Sequence, residues 1–225
     1  MRVRIEQGPK GKKNVAYAID WPGLERNGKT EELALAKLAE FRSRYAPIAR
    51  NAGLEAAFSG DGDIEVVDRY IGTGSTDFWG ISFASAPAEI EQPYDAEEFA
   101  RHLALLQSSW WFFDAVAARV SAELKKGPRG GGRDRDHIIR HVLFNEADWA
   151  KGIGVMSEPE SLLDPEYRQA YRDEYLAALR EYHAAGKMAK TWTLSFLIRH
   201  SAYHTLDHAW EMDDKDVAEL DVKKW

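Results

Sequence analysis

Apolar and polar positions alternate over residues 2–7, RVRIEQ, and again over 14–20, NVAYAID, a period of two that predicts two β-strands. WPGLERNGKT (21–30) is rich in Pro and Gly and reads as a turn region. Thr30 follows as a helix N-cap, with Glu31 and Glu32 in the first turn, where carboxylates complement the helix dipole. Leu33, Leu35, Leu38, Ala39 and Phe41 then trace an amphipathic helix running towards Ala49, with Gly53 as its stop. Two further runs, DIEVVDRYIG (63–72) and FWGISFASA (78–86), predict two more strands.

PAEIEQPYD (87–95) reads as a linker, and beyond it the period becomes helical. The first long helix is predicted over 96–125 and is broken by GPRGGGRDRD (127–136). The second covers 137–153, HIIRHVLFNEADWAKGI. Asp164 followed by Pro165 opens the third, which carries Tyr167, Tyr171 and Tyr175 at spacings of four and ends near Gly186. The fourth spans 191–213. Four helices with short or moderate connections suggest a bundle. In the first of them Trp110, Trp111, Phe112 and Phe113 are consecutive and point nearly all the way round. A surface helix buries one stripe, so part of this cluster is expected to face a neighbouring domain, a partner subunit or a ligand. The fold class is therefore α+β: a β-rich module with one helix over 1–90, then a helical bundle over 95–225.

The chain has 225 residues, 44% of them hydrophobic, which is enough for one large domain or two modest ones. Cysteine is absent, which excludes disulfides, thiolate ligands and a cysteine nucleophile, so any metal must sit on nitrogen and oxygen. That usage suits a reducing cytoplasm. The N-terminus lacks the apolar run of a signal peptide, and nothing approaches the roughly 20 apolar residues of a membrane span. A formal charge of −7 argues against a broad nucleic-acid surface. GPRGGGRDRD has the glycines and arginines of a phosphate cradle, but no strand precedes it and Pro128 interrupts it, so it reads as an inter-helix loop.

RHSAYHTLDHAWEM (199–212) holds three of the seven histidines, His200, His204 and His208, at intervals of four. Side chains four apart on a helix lie above one another, so His204 and His208 present two imidazoles to a single cation. On the second helix His141 shares its stripe with Asn145 and Trp149. If the two helices are neighbours, His141 completes a three-nitrogen set with an open position, the ligand count of a catalytic zinc-type site. The other reading of the same spacing is a hydrogen-bonded, packed histidine face, and spacing alone leaves both open. Over two turns His200 drifts about 80° from His208, which leaves it open as an outer-shell group, a substitute ligand or a surface residue, an outer-shell or structural role being the preferred reading. Asp207 and Glu211 lie one turn after His204 and His208, and either is a candidate to accept the far ring N–H of a ligating histidine. Glu146 is a weak candidate for a general base.

HIIRHVLFNEADW resembles the second helix of the DinB/YfiT-like superfamily of metalloenzymes, and HSAYHTLDHAWEM resembles that family's last helix, where an H-x3-H pair completes a three-histidine site. The likeness covers about residues 96–213. It implies a four-helix bundle with a divalent metal, zinc or nickel, on His141, His204 and His208. It further implies transferase or hydrolase chemistry on a small molecule, with a low-molecular-weight thiol as a candidate cosubstrate. Such a metal would acidify an external thiol, which suits a chain without cysteine.

AYAIDWPGLERNGKTEELALAKL is similar to the HicB antitoxin-type domain, through Asp20, Pro22, Gly23, Gly28, Thr30, Glu32 and Ala34. It departs from that pattern at Leu33, where a second acid is usual. Residues 1–94 carry 12 Lys/Arg against 14 Asp/Glu, a poor phosphate-binding surface, so nucleic acid is not expected as a partner. The HicB-like module then reads as a dimerisation or lid element, with a homodimer as the candidate assembly. The rival readings are a non-enzymatic protein-interaction module with structural histidines and, further off, an antitoxin or RNA-binding regulator.

Overall fold

The computed structural model describes residues 1–92, 94–127 and 132–218. The molecule is mixed α+β, with a four-stranded sheet and eight α-helices among the described residues. Its residues cluster into two compact units: 1–109 with 191–203, and 110–190 with 204–225. The long helices α5 (Ala96–Arg119) and α8 (Leu194–Asp214) supply residues to both.

In the first unit, β1 (Arg2–Gln7) and β2 (Asn14–Ala18) form the predicted antiparallel pair, with Val3 opposite Ala18 and Gln7 opposite Asn14. A third strand, β3 (Glu25–Gly28), lies inside the stretch expected to be only a turn. Gly23, at φ 96°, allows the tight reversal after Pro22, and β3 then pairs antiparallel with β2. Thr30 caps α1 (Glu31–Asn51), its hydroxyl accepting from Leu33 N, and Gly53 follows the helix end at φ 73°. The helix returns the chain so that β4 (Glu65–Ile71) runs parallel to β1, a pairing that needs a long connection. The order across the sheet is β3-β2-β1-β4. Leu38, Tyr45 and Ile48 of α1 are fully buried, as are Val3, Val15 and Leu24.

The strand expected over 78–86 does not form. After the short helix α2 (Glu55–Gly60) and β4, Thr73 caps another short helix, α3 (Gly74–Trp79), which Gly80 ends at φ 70°. Beyond it two backbone amides are taken by buried carboxyl groups instead of a ladder. Ser82 N donates to Glu25 at 2.7 Å and Phe83 N to Glu6 at 3.0 Å. Glu6 also accepts from the Tyr70 hydroxyl at 2.8 Å and the Ser82 hydroxyl at 2.8 Å, which is how a fully buried polar side chain is accommodated. The expected linker contains α4 (Pro87–Glu91), with proline in its first turn and the Glu89 carboxylate accepting from Ala86 N. The one-helix expectation for residues 1–90 therefore undercounts, since three short helices join α1; Pro93, at the linker's second proline, lies outside the described residues.

In the second unit, Phe113, Val116 and Val120 of α5 pack with Ile138 and Val142 of α6 (Arg135–Ala150) and with Ala209 and Met212 of α8. This shared core makes α6 and α8 neighbours. In the α5 aromatic run, Trp110 and Phe113 are buried, Phe112 meets the Trp210 ring at 6.5 Å, and Trp111 remains 47% exposed. Asp164 caps α7 (Pro165–Ala184), accepting from Glu166 N and Tyr167 N, and buries Tyr171 and Tyr175. Residues 128–131 of the glycine-rich break lie outside the described residues.

Candidate metal centre

Asp134 sets the start of α6 by accepting from His137 N at 2.8 Å, which places His141 nearly two turns into the helix. The packing of α6 on α8 then brings His141, His204 and His208 together, with candidate ligand atoms of all three within 4.8 Å of one another. The Nε2 atoms of His141 and His204 are 3.1 Å apart. Ring centroids stand at 5.0 Å for His141–His204, 4.9 Å for His141–His208 and 4.7 Å for His204–His208. Nitrogen ligands at about 2.0–2.1 Å on a tetrahedral ion stand about 3.3 Å apart. The closest pair already has that spacing. All three rings are half-buried.

The surroundings of the three rings differ. The Nδ1–H of His208 donates to Glu211 at 2.7 Å, and the other Glu211 oxygen accepts from Lys215 Nζ at 2.5 Å. The hydrogen bond from His208, aided by the Lys215 ammonium, holds the Glu211 carboxyl down at about 2. Asn145 Nδ2 donates to the His141 carbonyl at 2.7 Å and lies 3.3 Å from that residue's own Nδ1. Burial pushes the His141 imidazole down to about 4, and the nearby His208 acts in the same direction. It is therefore neutral near pH 7, the form that can coordinate a metal. The indole of Trp149 stands edge-on to His204 with centroids 5.0 Å apart and forms one wall of the cluster.

The other residues singled out from the sequence are placed differently. Asp207 is half-buried on α8. His200 belongs to the first unit, where its ring stacks on Phe196 at 5.2 Å and meets Phe83 at 5.3 Å edge-on. Burial there pushes it down to about 3, with the Arg199 charge acting the same way. Glu146 lies about 140° round α6 from His141. It is buried and accepts from the Trp110 indole N–H at 2.6 Å. Burial raises it to about 6 against the opposing pull of Arg172, which pairs with Asp114 at 2.5 Å. A cleft of about 530 Å³ among α5, α6 and α7 is lined by Arg135, Arg140 and Arg168 over an apolar wall, and none of the three histidines lines it.

The sequence pattern does not single out Asn145 or Lys215 as site residues. Lys215 carries a signal, its spacing of four from Glu211. Asn145 stands out only as a stripe neighbour of His141, because a backbone contact leaves no trace in a spacing pattern. Comparison of the chain with family models, curated proteins and solved structures returns no match.

Proposed function

We propose that this protein is a metal-dependent enzyme of the DinB-like type, carrying out transferase or hydrolase chemistry on a small molecule. The observation that carries the reading is the meeting of His141, His204 and His208 across α6 and α8. A zinc or nickel ion held by these rings supplies Lewis acidity that lowers the pKa of a water or an external thiol. Glu211 fixes the ring of His208, Trp149 packs edge-on against His204, and burial keeps His141 uncharged. The three strands, α1 and returning β4 of the first unit, with the short α2 between the last two, support a HicB-like module over 1–90, and the long helices α5 to α8 support a DinB-like region over 95–225. Among the described residues no helix is long and apolar enough to cross a membrane.

Elemental analysis of protein purified without a histidine tag tests the reading. The expected result is about one divalent ion per chain, lost in His204→Ala. A metal-free protein whose fold ignores chelators and added zinc would favour a non-enzymatic interaction module with structural histidines.

A further inference from the structure

We infer that the three histidines are inequivalent, with His208 the prearranged ligand because Glu211, braced by Lys215, positions it; the inference rests on the metal-centre reading above. An ionised carboxylate only accepts hydrogen bonds, so the 2.7 Å contact puts the His208 proton on Nδ1 and leaves the lone pair on Nε2. Glu211 uses separate oxygens for its two partners, Oε2 for His208 and Oε1 for Lys215. Neither contact competes with the other.

Lys215 is itself held in place. Its carbonyl accepts from Lys125 N at 2.8 Å, and Asp216 accepts from Ser121 N at 3.1 Å, so the end of α8 is tied to the segment after α5. The result is a chain of fixed partners, from backbone to lysine to carboxylate to imidazole. Outer partners of this kind fix ring orientation and raise ligand basicity.

His141 is arranged in the opposite sense. The Asn145 atom near its Nδ1 is also 2.7 Å from the His141 carbonyl. A carbonyl only accepts, so that atom is the amide nitrogen, and a donor faces Nδ1. The favoured neutral ring then carries its proton on Nε2, aimed at His204 Nε2 3.1 Å away. Coordination through Nε2 must shift that proton to the side where the Asn145 amide stands. Asn145 opposes loading at His141, whereas Glu211 favours it at His208.

The two residues therefore have opposite effects on metal affinity. The test is zinc affinity by chelator competition on the full chain, with the melting temperature of the metal-free protein measured alongside. Glu211→Gln is expected to weaken zinc binding roughly tenfold to a hundredfold in a metal-free protein that remains folded at the assay temperature. Asn145→Ala is expected to bind zinc as tightly as the parent or more so. Lys215→Met should give a smaller loss, about two- to fivefold, and serves in place of Glu211→Gln if that variant does not fold. Parent-like affinity in both Glu211→Gln and Lys215→Met overturns the inference and leaves the metal-centre reading intact, as does a loss in Asn145→Ala equal to that in Glu211→Gln. A parent protein that takes up no zinc removes both.

Discussion

The Nε2 atoms of His141 and His204 face one another at 3.1 Å although 63 residues separate them in the chain. Two protonated nitrogens do not sit at that distance, so the pair shares one hydrogen or surrounds a cation. The contact joins α6 to α8 and turns a histidine stripe into a cluster with a metal-like ligand set.

Zinc should stabilise the fold. A ligand that binds only the native state at one hundred times its dissociation constant adds about 2.7 kcal/mol. Thermal unfolding with and without zinc is expected to show a clear upward shift in the parent and none in His208→Ala. An equal shift in both would place the ion elsewhere.

Glu146 is expected to act in the core and not as a proton-transfer group at the histidines. Glu146→Ala leaves the Trp110 indole N–H buried without an acceptor, at a cost of about 2–4 kcal/mol. Glu146→Gln keeps an acceptor there and should cost less. Its raised value of about 6, against an ordinary 4.5, means that its contribution is fully present below pH 4.5 and lost as pH rises through 6. Urea titrations at pH 4.5 and 7.5 check this: the parent should lose more stability between the two than Glu146→Gln does.

His200 is expected to destabilise the protein in acid. Its value is depressed to about 3 by burial among Phe83, Trp192 and Phe196, so the folded state keeps the ring neutral. The stability this provides is present above about pH 6.5 and is lost as pH falls towards 3, at about 1.4 kcal/mol per pH unit. His200→Gln removes the titrating ring, and its stability should fall less steeply between pH 6 and 4. Identical slopes in parent and variant would contradict the assignment.

Thr30 accounts for the start of α1 through its bond from Leu33 N. Thr30→Ala should cost about 1 kcal/mol, and Thr30→Ser almost nothing, in chemical denaturation.

Local rules read from the chain alone determined much of this protein. The alternation of RVRIEQ and NVAYAID marked β1 and β2, Thr30 and Gly53 bounded α1, and the Asp164–Pro165 pair opened α7. The spacing of four fixed which α8 residues share a stripe, because helix geometry acts over neighbouring turns. What lies beyond one turn was decided by packing. ERNG became a strand because β2 offered it a partner, and in the stretch 80–86 the amides of Ser82 and Phe83 went to the buried side chains of Glu25 and Glu6. His200 shares the histidine spacing with His204 and His208, yet its surroundings include Phe83, more than a hundred residues away in the chain, beside the nearby Trp192 and Phe196. The approach of His141 to α8, the Asn145 amide beside it and the brace from Lys215 depend on distances between separate segments. Only tertiary packing sets those distances, because helical periodicity carries no information about which helices become neighbours.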